Sequence, residues 1–249
     1  MNHLLLDLSN VYKRVSAVAP NYVYAFFSYV HHYKELYSCN EVYYAIDSDH
    51  YLKKQIDEEY KANRGPHERD PKLDLIKMII MAMPHHNLLL QEGLEADDIA
   101  YEFCKKNDGV ICISEDLDWC RNLLCGSNTK LFKHKKLISR HNVQQVLGVP
   151  FEKIDLYLFL QGDAKDNVKK PFRVKSHEEA MGKYNTPEEY CLGEGITSDT
   201  LGKYKELLYP IEGKGYNTIE GKKSEATKQY IQKYRLNFLN PSYNEGGLF

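Results

Sequence analysis

The order Gly93-Leu94-Glu95-Ala96-Asp97-Asp98-Ile99-Ala100, then Gly109-Val110-Ile111-Cys112-Ile113-Ser114, then Glu115-Asp116-Leu117-Asp118-Trp119 sets a helix start, a short apolar run and a second acid pair in succession. Ala96, Ile99, Ala100 and Phe103 recur at helical spacing, which predicts an amphipathic helix over residues 94–107 with Glu95 and Asp98 neighbours on its surface. A helix N-terminus favours one or two acids through its dipole and free N–H groups, but not five. The unbroken run over residues 109–114 suits a parallel strand buried on both faces. Ligand sites in open α/β sheets lie outside the carboxyl ends of strands, so Glu95, Asp97, Asp98, Asp116 and Asp118 are expected to face one crevice. Two carboxylates about 4 Å apart repel by roughly 4 kcal/mol at an effective dielectric of 20. A hard cation relieves that repulsion, and oxygen-only donors point to Mg²⁺ or Mn²⁺.

The same pattern occurs earlier. Leu4-Leu5-Leu6-Asp7 and Glu41-Val42-Tyr43-Tyr44-Ala45-Ile46-Asp47 are apolar runs closed by aspartate, with an aromatic-rich helix over residues 22–36 between them. One strand ending in Asp is ordinary, because Asp caps helices and turns. Three of them joined by helical crossovers line the acids along one sheet edge. Lys53, Lys54, Lys61 and Arg64 form a cationic approach to that edge, with Tyr60 offering a ring for base stacking. A helix is predicted over residues 71–83, a fourth strand over 130–133, a helix capped by Ser139 and running to Leu147, and another from Pro150 to Leu160. After it, Asp163 and Asp166 fall in a loop beside the most basic part of the chain.

The 249 residues carry a formal net charge of −2, but it is unevenly spread. Residues 1–129 hold 20 Asp+Glu against 13 Lys+Arg, whereas residues 130–183 hold 12 Lys+Arg against 6 Asp+Glu, an arrangement that suits a metal centre beside a polyanion-binding surface. Six cysteines show no metal-ligand pairing and read as free thiols of a reducing compartment. With no signal peptide and no apolar run of membrane length, the expected location is the cytoplasm. A glycine-rich phosphate loop is absent, which argues against a dinucleotide-binding protein.

Taken together, Asp7, Asp47, Tyr60-Lys61-Ala62-Asn63-Arg64, Gly93-Leu94-Glu95-Ala96-Asp97-Asp98, Ser114-Glu115-Asp116-Leu117-Asp118 and Gly162-Asp163-Ala164-Lys165-Asp166-Asn167 resemble the flap endonuclease and 5′-to-3′ exonuclease family in order and spacing. That family includes phage enzymes and the N-terminal domain of bacterial DNA polymerase I. The resemblance covers residues 3–168 and looks closest to phage members. It implies an α/β, PIN-like fold, a central mostly parallel sheet flanked by helices with a C-terminal helical region, and phosphodiester hydrolysis with two divalent ions. It implies Asp7, Asp47, Glu95, Asp97, Asp98, Asp116 and Asp118 around the metals, Asp163 and Asp166 in a second cluster, Lys61 and Arg64 over the scissile phosphate, and Tyr60 in a stacking position.

The chain departs from the family at Leu8, where relatives commonly carry a small residue. It departs again after Asn167, where Val168-Lys169-Lys170-Pro171-Phe172-Arg173-Val174-Lys175 replaces a Gly-Val-x-Gly-Ile-Gly turn. Lys169, Lys170, Arg173 and Lys175 are therefore expected to meet duplex phosphates through side chains. The expected division is a nuclease core over residues 1–133 and a helical, basic DNA-binding region with a poorly ordered tail over 134–249. The expected partner is DNA with a 5′ end or flap, with an RNA primer as a further possibility, engaged by a monomer in phage DNA replication. A PIN-type ribonuclease and a catalytically silent DNA-binding accessory on the same fold are the alternatives. His85 and His86 read as surface or packing residues.

Overall fold

The computed structural model describes residues 2–63, 70–168 and 177–221. These residues form a seven-stranded sheet ordered β6-β5-β4-β1-β2-β3-β7. The strands are β1 (Asn2–Asp7), β2 (Cys39–Ala45), β3 (His86–Leu90), β4 (Val110–Ile113), β5 (Lys130–Lys133), β6 (Lys136–Ser139) and β7 (Asn217–Glu220). The five inner strands, β5 to β3, pair in parallel, and β6 and β7 close the edges antiparallel.

Alternation along the central strands builds two cores. Leu4 and Leu6 face one side with Ile111 and Ile113, against α1 (Leu8–Ser16), α2 (Tyr22–Leu36) and α4 (Pro71–Ile80). Leu5, Val110 and Cys112 face the other, against α5 (Ala96–Lys106), α6 (Val143–Leu147) and α7 (Ile154–Gln161). A third cluster gathers Tyr60, Phe159, Leu160, Tyr190 and Leu208 where α8 (His177–Lys183), α9 (Pro187–Gly193) and α10 (Ser198–Leu208) meet α7. The short α3 (Lys53–Ile56) lies between β2 and α4 in sequence.

Three expectations need correction. Residues 136–139 form β6, so Ser139 does not cap a helix; α6 starts at Val143, and the Asn142 side chain accepts from the Ser139 N–H at 2.7 Å. The β5–β6 hairpin turns on His134 and Lys135, both at positive φ (50° and 61°). A division at residue 133 therefore falls inside this hairpin, and β7 returns the chain to the sheet beyond the C-terminal helices. Finally, α1 and β3 lie in stretches for which no element was expected. His86 is buried and shares a 2.8 Å hydrogen bond with the Tyr44 hydroxyl, while His85 pairs with Glu41 at the surface, in keeping with packing and surface roles. Among the described residues no helix is long and apolar enough to cross a membrane.

Candidate functional site

The parallel order β4-β1-β2 brings the acids at these strand ends to one edge. Asp7 ends β1 and accepts from the Asn10 N–H at 3.0 Å, so one carboxylate both caps α1 and faces the crevice. The Ser114 hydroxyl, at the end of β4, donates to Asp7 at 3.2 Å and accepts from the Asp116 N–H at 3.0 Å. Asp47 lies two residues beyond β2 and accepts from the Ala96 N–H at 3.0 Å, which ties it to the start of α5. Asp118 opens a 3₁₀ helix (Asp118–Leu124) anchored by the buried Trp119. Leu8 turns its side chain into the first core, among Val11 and Tyr12, rather than into the acid bed.

The acids divide by their partners. Glu95 pairs with Lys53 at 3.1 Å and with Lys61; Lys61 also reaches Asp166 at 3.3 Å. Tyr60 donates its hydroxyl to Glu95 at 2.5 Å and lies 3.2 Å from Asp166. Asp98 is 0% exposed; it accepts from the Glu95 N–H at 2.9 Å and from the Ile211 N–H at 2.8 Å, and it pairs with Lys53 at 3.5 Å. By contrast Asp7, Asp47, Asp116, Asp118 and Asp163 have no lysine or arginine within 4 Å among the described residues. Asp163 caps a 3₁₀ turn (Ala164–Asp166), and Asp166 shares Lys61 and the Tyr60 hydroxyl with Glu95, which brings the second acid pair to the same crevice.

Electrostatics follow this division. Burial, then the charges of Asp47 and Asp116, push the Asp7 carboxyl up to about 8. Burial does the same to Asp98, with Asp97 adding to it, and to Asp118, with Asp116 and Asp97 adding to it, each reaching about 7. Asp163 rises to about 6 through burial and Asp166. Burial disfavours the Lys53 ammonium, yet Asp97, Asp98 and Asp118 outweigh it and hold its pKa above the ordinary lysine value. Burial and the Asp166 and Asp97 charges raise the Tyr60 phenol, which keeps it a neutral donor.

An acid whose pKa is raised in the fold destabilises the fold once it ionises. The penalty is absent below the unfolded value near 4 and complete above the folded value, about 8 for Asp7. His86, lowered to about 3 by burial, works oppositely and withdraws stability below its unfolded value near 6.5. Metal-free protein is therefore expected to gain on the order of 2 kcal/mol between pH 8 and 6.5, at about 1.4 kcal/mol per proton and pH unit. Urea unfolding in chelator at the two pH values measures it, and a flat or falling stability on acidification contradicts the assigned burial of the acids.

Several expected roles are placed differently. Tyr60 is 4% exposed, so its ring offers no open face for a base; its hydroxyl links two acids instead. Lys53 is 2% exposed and turned into the acids, while Lys54 stays on the surface. Arg64, Lys169, Lys170, Arg173 and Lys175 lie outside the described residues. Sequence reasoning gives no role to Ser114, to the Tyr51 ring 4.2 Å from the Lys61 ammonium, or to the Ile211 backbone. Ser114 was legible as the hydroxyl between an apolar strand and an acid pair; Ile211 had no local signal.

A divalent ion fits this donor set. Every donor is a carboxylate oxygen, and Glu95, Asp97 and Asp98 each offer one oxygen within 4.8 Å of the others. Asp7 and Asp118, uncompensated and with pKa values raised by burial and then by neighbouring acid charges, are those a cation would relieve most.

An α/β, PIN-like sheet with an acid-lined crevice at the carboxyl ends of its parallel strands is the class that fold and site define. The family model for the 5′-3′ exonuclease N-terminal, resolvase-like domain matches residues 7–148, more than half of the sequence, and the chain belongs to that family. Its fold is similar to that of the bacteriophage T5 D15 protein co-crystallised with metal ions: 15% identity over 96% of this chain and 100% of that one, TM-score 0.63. The T5 D15 flap endonuclease in complex with DNA and metal ions aligns at 17% identity over 84% of this chain and 87% of that one, TM-score 0.62. The catalytic core of Rad2 bound to DNA substrate aligns at 13% identity over 94% and 87%, TM-score 0.54.

Proposed function

We propose that the protein is a divalent-metal-dependent 5′ nuclease that hydrolyses phosphodiesters at DNA 5′ ends or flaps. The observation that carries this reading is the convergence of acids from separate segments into one crevice of which half is neutralised by lysines and half is left to a cation. Family membership supports a nuclease, and the T5 D15 protein's complex with DNA and metal ions supports DNA as the substrate class. Two Mg²⁺ or Mn²⁺ ions fit the number of acids. When bound they supply activation of a water and neutralisation of charge on the phosphate.

The residues divide the remaining work. Asp7, Asp47, Asp97, Asp116, Asp118 and Asp163 provide the negative bed, and Glu95 and Asp166 hold Lys61. From there the Lys61 ammonium can turn to the phosphate as charge grows on it. The Tyr60 hydroxyl fixes Glu95 and Asp166 relative to each other. Arg64 is assigned to the same phosphate as Lys61. We assign the protein to phage DNA replication in the host cytoplasm, acting as a monomer on flaps that include RNA primers.

Incubation of a 5′-labelled flap duplex with and without Mg²⁺ tests the reading. Release of a short labelled product with Mg²⁺ alone supports it. Cleavage confined to RNA would make the chain a ribonuclease, and binding without cleavage under any divalent ion would make it an accessory protein.

Lys169, Lys170, Arg173 and Lys175 are assigned to duplex phosphates. Changing all four to Ala is expected to flatten the slope of log K against log salt, since each phosphate neutralised contributes about −0.9 on B-form DNA. An unchanged slope across a NaCl series removes them from the interface.

A further inference from the structure

Arg121 is a buried cation with few partners on its own side of the fold. Its side chain is 3% exposed, Asp155 on α7 is its one carboxylate within 4 Å among the described residues, at 3.0 Å, and its Nη2 has no hydrogen-bond partner there. The rest of its charge is met from the end of α10. Its Nη1 N–H donates to the carbonyl of Leu208, the last residue of α10, at 2.6 Å, and the Tyr209 ring lies 4.2 Å from its Cζ. Carbonyls at a helix C-terminus lack intrahelical donors and carry the negative end of the helix dipole, and an aromatic face attracts a cation, so both suit a guanidinium. The same segment then runs to the acids. The Tyr209 hydroxyl donates to Asp155 at 2.6 Å, the Ile211 N–H to Asp98 at 2.8 Å, and Glu212 pairs with Lys105 near the end of α5 at 2.6 Å. Asp98 is wholly buried, so no solvent stands ready to replace a lost Ile211 N–H. Asp118 and Arg121 share one 3₁₀ helix, a single turn apart.

We propose that residues 208–211 form a strap, latched by Arg121, that positions Asp98 and Asp118 for divalent ions. The Ile211 N–H holds Asp98 directly, and Arg121 draws the turn that carries Asp118 against α7 and the end of α10. Groups one step behind a metal's ligands orient them, and their loss costs about 10- to 100-fold in metal affinity. The inference rests on the metal-dependent reading above. It adds that acids inside the family match, residues 7–148, are held in place by a segment outside it. The coupling is reciprocal by linkage: a strap that tightens ion binding is itself tightened by the ion, by the same factor.

Two measurements on the DNA-free full chain test it. In the wild type, Mg²⁺ is expected to slow hydrogen exchange of the Ile211 amide roughly tenfold beyond its slowing of the Tyr190 and Cys191 amides in α9, which report the C-terminal helices as a whole. Equal slowing, or none, overturns the proposal. Mn²⁺ binding, followed by electron paramagnetic resonance of the free ion, then compares variants. Ile211→Pro, which removes the N–H, should bind Mn²⁺ roughly fivefold or more weakly than Ile211→Ala, which keeps it. Arg121→Met should weaken Mn²⁺ binding about tenfold. Charge alone predicts the opposite sign, because removing a cation near Asp118 favours another, so unchanged or tighter binding in Arg121→Met overturns the latch. Tyr209→Phe, which keeps the ring and loses the hydroxyl to Asp155, should weaken Mn²⁺ binding by a smaller factor. Duplex affinity in chelator should stay within about twofold of the wild type in each variant, since none of these groups neutralises a phosphate; a larger loss assigns the strap to DNA instead and overturns the proposal. Where Arg121→Met or Ile211→Pro does not fold, amide exchange in the wild type and Mn²⁺ binding by Tyr209→Phe decide. A wild type that binds no Mn²⁺ brings down the metal-dependent reading itself, whereas a wild type that binds Mn²⁺, with the Ile211 amide and the variants unaffected, brings down only the strap.

Discussion

Asp118→Asn is expected to reduce single-turnover cleavage of a 5′ flap by on the order of 10³-fold at saturating Mg²⁺ while making the metal-free protein more stable. Both signs come from one feature. Asp118 has no lysine or arginine within 4 Å among the described residues, and burial together with the charges of Asp116, Asp97 and Asp163 raises its pKa to about 7, despite the opposing charge of Arg121. Ionised at pH 8, it destabilises the fold, and asparagine removes that charge without changing size. A gain of about 1 to 3 kcal/mol in chelator at pH 8 is the expected scale. In a site held together by Asp118, losing the carboxylate would lower stability and activity together. Denaturant unfolding beside single-turnover kinetics separates the two, and near wild-type turnover would remove Asp118 from the site.

The inner fold was readable because buried parallel strands leave continuous apolar runs, and Leu4–Leu6, Val42–Ala45 and Val110–Ile113 all do so. The edges were not. Strand β6 follows a two-residue turn of His134 and Lys135, whose positive φ values are usually marked by Asn-Gly or Asp-Gly. Without that mark, the hairpin reads as a cap. All four β7 residues are exposed, so no alternation marks them, and the strand exists through pairing with β3. Strand β3 is built largely from leucine, which has no strong preference for strand, and it opens on His86 directly after His85. Helix α1 carries a signal in Leu8, Val11 and Tyr12 at helical spacing, but the run is short and lies directly against the Asp7 strand end.

Within the site, residue type was legible and partnership was not. Acids at strand ends and at a helix start could be named because topology alone gathers them. Which acids are already neutralised depends on contacts between distant segments: Lys53 with Asp98, Tyr60 with Asp166, and Asp98 with the backbone of Ile211, 113 residues further along. Spacing cannot report such contacts, so Lys53 reads as a DNA-facing cation and Tyr60 as a stacking ring when both are buried among the acids.

Lys61→Met carries the second large effect. Methionine keeps the length of the apolar stem and removes the ammonium, which lies 4.2 Å from the Tyr51 ring. The backbone at this position is itself held, with φ at 56° and its N–H donating to the Asp166 carbonyl at 2.9 Å, so substitution should not move the loop. In the resting protein Lys61 pairs with Glu95 and Asp166, and Lys53 remains on Glu95 when Lys61 is lost. The stability cost is therefore expected near 1 to 2 kcal/mol, below the roughly 3 to 5 kcal/mol of leaving a buried charge wholly unpaired. The rate should suffer more. Charge accumulates on the phosphate towards the transition state, and losing a donor that acts only there lowers the single-turnover rate without weakening substrate binding. A loss of about 10²-fold in rate at saturating protein, with flap affinity in Ca²⁺ changed less than about threefold, is the expected pair of results. Were affinity to fall while the saturated rate held, Lys61 would be a residue that positions DNA, and Glu95 and Asp166 would hold it for that purpose alone.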